Sequence, residues 1–379
     1  MEKIIYFDNS STTKPCETAI KYLNTALCEN WGNPSSLHSL GIKAEEQLLL
    51  SKEAIANLIS CTPEEIYFTS GGTEANNLAI SGAASALQKR GNRIVTSSIE
   101  HPSVLEVMKK LEKDGFEVIY LSPDSNGVVS IEDINNAINK NTILVSLMLV
   151  NNESGAIQPI KAAANAIKNT GAPALLHCDA VQAFGKMPID INSLGVDLLS
   201  ASAHKIHGPK GVGFLYKSKQ KNIHPLLYGG GQQKGLRPGT ENLPLICAFR
   251  GAVEELGNIN SNLTTVKNLY NYATQKISET FPLSNINSTE SGLPYILNFS
   301  LNTHRSETIL HYLDSYGIYI SSGSACAKGQ KSHVMTAMGY NNKRIDSALR
   351  LSFNRFNTTE EIDKFCLVLK NACETLRKA

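Results

Sequence analysis

One lysine stands in a setting where it could act as a nucleophile. Lys205 lies in a segment rich in serine, histidine and glycine, 200–211, between the apolar runs 196–199 and 212–216. This order predicts a position at the mouth of a sheet. There, partial removal from water lowers the pKa of an amine and lets it condense with an aldehyde. Most lysines are simply exposed on loops, and the local sequence alone favours that alternative.

An aspartate with a second possible role closes the apolar run 174–178. A carboxylate at a buried strand end, as predicted for Asp179, is costly unless it is paired. The N–H of a pyridinium ring would pair it and would keep such a ring an electron sink. A helix N-cap before Ala180 is an equally good local interpretation. Gln182 could reach the phenolic oxygen of the same ring, or could be an exposed helix residue.

A glycine pair precedes a predicted helix and could receive a phosphate. Gly71 and Gly72 stand between an apolar run and a helical stretch that opens with Thr73. Glycines allow close backbone approach, and a helix N-terminus offers free N–H groups to an anion. The motif is weak by itself. Together with Asp179 and Lys205, however, it supplies in chain order the parts of a pyridoxal-phosphate site.

Short apolar runs alternate with amphipathic stretches over the first two thirds of the chain. Strands are predicted at 65–69, 93–96, 117–121, 142–150 and 174–178, and helices at 73–89, 101–114, 131–139 and 160–169. This alternation indicates βαβ units and a mostly parallel sheet with helices on both faces. After about Gly251 the pattern changes. A helix at 261–281, period-two runs at 295–300 and 347–353 and a last helix at 359–377 predict a smaller α+β domain.

Composition narrows the function classes. The chain of 379 residues has 42% hydrophobic and 18% charged residues, and 36 basic against 34 acidic side chains leave a net charge of +2. A clustered basic excess, typical of nucleic-acid binders, is missing. No apolar stretch approaches the roughly 20 residues of a membrane helix.

The eight cysteines form no CxxC pair, so neither a zinc nor a redox site is expected. We expect a soluble cytoplasmic protein with free thiols and no metal.

These three motifs are part of a longer ordered set of sequence segments. Through this set, the chain resembles the cysteine desulfurases of the NifS/IscS-like group within the class V aminotransferases. The resemblance covers nearly the whole chain. The segments that carry it are 6–13 (YFDNSSTT), 32–36 (GNPSS), 68–74 (FTSGGTE), 100–101 (EH), 150–153 (VNNE), 179–182 (DAVQ), 204–205 (HK), 229–233 (GGGQQ), 237–242 (RPGTEN) and 321–326 (SSGSAC).

The resemblance implies the pyridoxal-phosphate-dependent transferase fold of type I, an α/β fold. Its large domain, 16–255, would hold a mostly parallel seven-stranded sheet between helices. A smaller α+β domain, formed by 1–15 and 256–379, would carry the mobile catalytic-cysteine loop around 322–334.

The resemblance also implies pyridoxal 5'-phosphate as cofactor and assigns roles to matching residues. Lys205 would be linked to the cofactor and shuttle protons, and His101 would stack on its ring and help in acid–base steps. The cofactor-binding set is Gly72, Thr73, His101, Asn152, Asp179, Gln182, Ser202, His204, Lys205 and Thr240. Of these, Thr240 would reach the phosphate of the neighbouring subunit of a homodimer, while Asn152 and Arg350 would bind the substrate. The alternatives are a helix-terminal or core role for His101 and an exposed strand position for Arg350.

Cys326 lies among small residues with glycines on either side and is followed by Lys328, Lys331 and His333. An exposed thiol near positive charge favours the thiolate. The family's reaction converts L-cysteine to L-alanine and leaves the sulfur on such a cysteine as a persulfide. The acceptor would be an iron–sulfur scaffold or another sulfurtransferase, such as one for tRNA thiolation, without direct nucleic-acid or membrane binding. A selenocysteine lyase, an aminotransferase and a non-enzymatic partner protein stay open as alternatives.

Overall fold

The computed structural model describes residues 4–322 and 331–377. Its strands, in chain order, are β1 (Ile5–Tyr6), β2 (Ile66–Thr69), β3 (Arg93–Ser97), β4 (Glu117–Leu121), β5 (Thr142–Met148), β6 (Leu175–Asp179), β7 (Leu198–Ser202), β8 (Gly213–Lys217), β9 (Asn285–Ile286), β10 (Ile296–Ser300), β11 (Ile318–Tyr319), β12 (Ser321–Ser322) and β13 (Ala348–Ser352). They form one sheet of seven strands and two smaller ones.

From β2 to β7, one α-helix lies between each two successive strands, which is the alternation predicted for a layered α/β fold. The α-helices are α1 (Glu17–Cys28), α2 (Ser39–Ile59), α3 (Gly72–Leu87), α4 (Pro102–Lys113), α5 (Ile131–Ala137), α6 (Ile160–Thr170), α7 (Ile191–Leu194), α8 (Leu243–Glu255), α9 (Ile259–Thr280), α10 (Ser306–Asp314), α11 (His333–Ala337), α12 (Asn342–Asp346) and α13 (Thr359–Thr375). In the part of the chain that the structure describes, no helix combines the length and apolarity needed to cross a membrane.

The large sheet has the order β2-β8-β7-β6-β5-β3-β4. Strand β8 pairs antiparallel with β2 and β7, and the other neighbours pair in parallel. All seven residues of β5 are buried, as expected of a parallel strand covered on both faces. The predicted mostly parallel seven-stranded sheet is therefore confirmed.

Two small sheets complete the fold. One has four antiparallel strands in the order β12-β13-β10-β9, and the other pairs β1 with β11 in parallel. Because β1 belongs to the second, the N-terminal segment runs beside elements from the end of the chain. Phe7 makes edge contacts with Phe353 and Phe365, at ring separations of 5.6 and 6.1 Å. This contact accords with the expected grouping of 1–15 with 256–379, whose exact boundaries stay a prediction.

The period-two runs of the C-terminal part have a different environment from the one predicted. Strands β10 and β13 are buried at all five positions rather than on one face. Helices cover what would have been a solvent-facing side, since α9 packs against both β10 and α13. The sequence analysis also missed α1 and α2, which pack against α8.

Candidate active site

A pocket enclosing about 750 Å³ opens beyond the C-terminal ends of the parallel strands. This edge is where open α/β sheets bind their ligands, because successive strand ends and helix starts converge there. The pocket is lined by nine of the ten residues predicted to bind the cofactor, Gly72, Thr73, His101, Asn152, Asp179, Gln182, Ser202, His204 and Lys205. The tenth, Thr240, is exposed on the loop before α8.

The predicted phosphate cradle lies where α3 begins. Gly71 has a φ of 154°, and Gly72 opens the helix. A Cβ added to Gly72 would come within 2.7 Å of Val181 Cγ2, so the backbone of α3 packs directly against Val181 at this position. Burial, and then the positive charge of Lys205, lower the pKa of the nearby His204 to about 4. A neutral imidazole and a helix N-terminus together offer N–H donors to an anion.

Asp179 is the last residue of β6 and is 5% exposed. Its Oδ1 accepts from the backbone N–H of Val181 at 3.0 Å, and its Oδ2 accepts from Asn76 Nδ2 at 2.7 Å. The carboxylate therefore caps the following turn and lines the pocket at once, so the two interpretations of the sequence are compatible.

Asn76 is a pocket residue that the sequence analysis missed. It lies four positions after Gly72, one helical turn into α3, which is the spacing that could have indicated it. Its buried Oδ1 has no hydrogen-bond partner within the described ranges. The pocket thus contains an unmatched acceptor beside the Asp179 carboxylate.

Lys205 closes a single 3-10 turn, Ala203–Lys205, that follows β7. Its Nζ donates to the backbone carbonyl oxygens of Ser10 and Ser11, at 2.5 and 2.8 Å. Both carbonyls come from the N-terminal segment beside the small sheets. The segment 6–13 was part of the family resemblance, but this contact with the lysine was not predicted.

His101 is both a helix cap and a pocket residue. It is the N-cap of α4, where its Nδ1 accepts from the backbone N–H of Ser103 at 3.1 Å. That bond leaves the proton of the neutral ring on Nε2. Burial lowers the pKa of His101, the Asp179 carboxylate opposes this, and Lys205 and His333 add to the lowering. The helix-terminal alternative is correct, and it does not prevent the ring from lining the pocket.

Arg350 lies in β13 and is 3% exposed, so the alternative of an exposed strand arginine is wrong. Its Nη2 donates to Asp8 Oδ1 and Ser11 Oγ, both at 2.8 Å, and its Nη1 donates to the carbonyl oxygen of Asn152 at 2.9 Å. The buried Nε has no partner in the described part of the chain. Binding of a substrate carboxylate by Arg350 stays a prediction.

Two buried carboxyl groups near the pocket were not predicted. Burial raises the pKa of Glu153 to about 7, against the opposing effects of a hydrogen bond from Ser332 and the charge of Arg350. Burial likewise raises the pKa of Glu100 to about 8. Ser332 Oγ donates to Glu153 Oε2 at 2.5 Å and also caps α11. Cys326 lies outside the described residues, between β12 and Ser332.

The aminotransferase class-V family matches residues 5–365. The chain belongs to this family. It is 40% identical over 384 residues to the cysteine desulfurase IscS of Clostridium botulinum, covering 100% of this chain and 96% of that one. It is also 41% identical over 369 residues to the putative cysteine desulfurase IscS 1 of Bacillus subtilis, covering 96% of each. The resemblance to the NifS/IscS-like cysteine desulfurases is therefore confirmed.

Solved structures agree with this assignment. A NifS-like protein superposes with a TM-score of 0.93 at 36% identity, covering 99% of this chain and 100% of that one. A structure described as SspA in complex with cysteine superposes with a TM-score of 0.82 at 33% identity, covering 93% and 100%. The chain therefore has the predicted type I fold.

Pyridoxal 5'-phosphate is the cofactor of this family, and the pocket of this class-V protein fits it. Two glycines without side chains stand at the N-terminus of α3, and Gly72 lines the pocket there. A carboxylate, Asp179, and an amine, Lys205, line the same pocket. These are the donor and acceptor types that a phosphate, a protonated ring nitrogen and an aldehyde require.

Proposed function

We propose that this protein is a pyridoxal-phosphate-dependent cysteine desulfurase. It converts L-cysteine to L-alanine and receives the sulfur on Cys326. The observation that carries the proposal is the convergence of Gly72, Asp179 and Lys205 on one pocket, in a chain whose relatives are named cysteine desulfurases. The solved relative described with cysteine supports the substrate class.

The cofactor, when bound, supplies a protonated ring that draws electrons from the substrate carbon. In this proposal Asp179 keeps the proton on the ring nitrogen, because a buried carboxylate stabilises the neighbouring positive charge. The N-terminus of α3, with Thr73 and Ser202, holds the phosphate. Lys205 Nζ takes the proton from the substrate Cα and later returns one.

The sulfur step needs no outside oxidant. The thiolate of Cys326 attacks the substrate sulfur, and the bond between that sulfur and the substrate Cβ breaks. The electron pair stays with the carbon, which takes up a proton and becomes the methyl group of alanine. One substrate thiol and one enzyme thiol thus become one methyl group and one persulfide, with all atoms and electrons accounted for.

Arg350 is proposed to bind the substrate carboxylate, because a guanidinium can hold a carboxylate through two hydrogen bonds. Its Nε is a buried donor without a partner within residues 4–322 and 331–377. Because Nη2 already donates to Asp8 and Ser11, the second bond to a carboxylate would replace one of these contacts. Asn152, whose carbonyl accepts from Arg350, would contact cofactor and substrate with its side chain.

A homodimer is part of the same proposal. Thr240 is exposed and does not reach the pocket of its own chain. Large apolar side chains are also exposed, notably Trp31 at 66%, Leu37 at 96% and Tyr228 at 87%. Burial of such side chains against a second chain is favourable, because it removes apolar area from water. A second copy of this chain would bring Thr240 to the partner's phosphate. Cytoplasmic location and transfer of sulfur to an acceptor protein stay predictions.

The deciding experiment adds L-cysteine to the purified, cofactor-loaded protein and measures alanine and sulfide together. With a thiol reductant present, equal amounts of alanine and sulfide are expected. In mass spectra taken without reductant, the peptide containing Cys326 should carry an added sulfur atom. Cys326→Ser should keep the cofactor spectrum and lose sulfide release. Cys28→Ser is the matched control, because Cys28 is an exposed thiol.

Other outcomes would contradict the proposal. Alanine formation that survives Cys326→Ser at the wild-type rate would exclude Cys326 as the sulfur acceptor. Formation of an α-keto acid in place of alanine would favour an aminotransferase. Turnover of selenocysteine without turnover of cysteine would indicate a selenocysteine lyase.

A further inference from the structure

Lys186 is a buried lysine beside the pocket to which the proposed mechanism gives no role. It is 5% exposed, and its Nζ donates to Gln182 Oε1 at 3.0 Å. An amine in such a place is normally paired with a carboxylate, because burying an unpaired charge is costly. Here the acceptor is a neutral amide. Burial, and the charges of Lys205 and Arg350, lower the pKa of Lys186 to about 7.

Two contacts orient the Gln182 amide. The Ser10 carbonyl on one side can only accept, so the amide nitrogen faces it, and the amide oxygen on the other side accepts from Lys186 Nζ. The other end, Nε2, donates one hydrogen to the carbonyl oxygen of Ser10 at 3.0 Å. The second hydrogen of Nε2 stays available. Since Gln182 lines the pocket, that N–H can serve a bound ligand.

The same carbonyl of Ser10 accepts from Lys205 Nζ at 2.5 Å. Lys186, Gln182, Ser10 and Lys205 thus form one continuous hydrogen-bond chain that ends at the proposed nucleophile. Reversal of the Gln182 amide would set its oxygen against the Ser10 carbonyl and its NH₂ group against the Lys186 amine. Loss of Lys186 would remove one of the two contacts that hold the present orientation.

We propose that Lys186 is a positioning residue that orients the Gln182 amide, so that the phenolic oxygen of the cofactor meets an N–H donor and not a carbonyl oxygen. This inference rests on the proposed function, because it requires the cofactor to be linked to Lys205. A donor to the phenolate lowers its electron density and makes the Lys205–cofactor linkage easier to deprotonate. Lys186 would therefore change how easily the Lys205–cofactor linkage is deprotonated without contacting the cofactor.

The test is a pH titration of the visible absorption band of the cofactor-loaded protein. Lys186→Met should raise the titration midpoint by about 0.5–1 pH unit, the size expected for one lost hydrogen bond to a charged group. Lys186→Arg keeps a donor and a charge and should titrate close to wild type. Lys161→Met is the matched control, because Lys161 is an exposed lysine on α6.

A double-mutant cycle separates orientation of the amide from simple charge. If Lys186 acts through Gln182, the effect of Lys186→Met should largely disappear in a Gln182→Leu background. An unchanged shift in that background, or no shift in the single variant, would overturn the proposal. Should Lys186→Met fail to fold, Lys186→Gln serves instead. Its shorter side chain ends before Oε1, so it should shift the midpoint in the same direction.

Failure of the proposed function has a different signature. Wild-type protein that forms no borohydride-reducible linkage at Lys205 would contradict both proposals. If wild type and all variants form the linkage and titrate alike, only the proposed role of Lys186 is contradicted.

Discussion

Asp179 is the last residue of β6 and Lys205 closes the 3-10 turn after β7, whereas Arg350 lies inside a fully buried strand of the four-stranded sheet. On the large-sheet side, Asp179 accepts from a backbone N–H two residues later, and Lys205 donates to two carbonyl oxygens of the N-terminal segment. On the small-sheet side, the arginine is fixed by Asp8, Ser11 and the Asn152 carbonyl, which come from distant parts of the chain.

Because of this difference, the two sides of the pocket suit two different ligands. The large-sheet side offers a phosphate cradle, a carboxylate and an amine, and these groups suit a cofactor that stays bound. The small-sheet side offers a buried cation with an unmatched N–H, which suits a substrate carboxylate that comes and goes. We therefore expect substitutions on the large-sheet side to reduce the chemistry itself. Substitutions on the small-sheet side should mainly weaken substrate binding.

The largest effect is expected for Lys205→Ala. Removal of the amine deletes both the covalent link and the group that moves the Cα proton, so turnover should fall by roughly 10³-fold or more. Borohydride reduction followed by peptide mass mapping checks the link. Lys210→Ala, an exposed lysine five positions later, is the control. A reducible link that persists in Lys205→Ala would show that another amine binds the cofactor.

Asp179→Asn should be the next most severe change. Asparagine can still accept from Val181 N–H, but it cannot stabilise a protonated ring nitrogen, so kcat should fall by roughly 10²–10³-fold. Asp197→Asn is a matched control, since Asp197 also accepts from a backbone N–H next to the large sheet, that of Leu176 at 2.9 Å. Steady-state kinetics that show equal losses for the two variants would argue against a special role for Asp179.

Arg350→Lys should raise KM for L-cysteine about tenfold and change kcat much less. Lysine keeps the positive charge beside Asp8 but loses the planar pair of donors that a carboxylate prefers. The absorption band of the bound cofactor should not move. Arg93→Lys, which alters a surface pair with Glu117 at 2.7 Å, is the control. A drop in kcat at unchanged KM would place Arg350 with the large-sheet side and remove the distinction.

The smallest effect concerns stability and pH. Because burial raises the pKa of Glu153 to about 7, the folded state binds this proton more tightly than the unfolded state, whose pKa is near the ordinary 4.5. The Glu153 contribution to stability is thus fully present below about pH 4.5 and is lost as pH rises to about 7. Glu153→Gln keeps an acceptor for Ser332 and removes this dependence.

Melting temperatures of wild type and Glu153→Gln, measured from pH 5 to 8, test this directly. The melting temperature of the variant should increase relative to that of wild type as pH rises, and the difference should become constant near pH 7. Glu132→Gln, an exposed carboxylate on α5, should give a curve parallel to that of wild type. A constant difference between Glu153→Gln and wild type at every pH would mean that Glu153 is ionised in the fold throughout.

The sequence alone determined the large-sheet side of the pocket. Apolar runs that alternate with amphipathic stretches predict parallel strands, and the ends of such strands meet at one edge of the sheet. Residues at or a few positions beyond the ends of those runs must therefore converge, as Gly72, Asp179 and Lys205 do. The same reasoning could have predicted pocket residues one helical turn further along an element, such as Asn76 in α3.

Only the tertiary structure decided the contacts that join distant segments. The contacts of the Ser10 and Ser11 carbonyls with Lys205, and of the Asp8 carboxylate with Arg350, have no periodic signature in the sequence. Burial of β13 on both faces also depends on which helices cover the small sheet, and alternation along one strand cannot reveal that. Periodicity records which face of an element is apolar, whereas the pairing of buried polar groups depends on where separate elements meet.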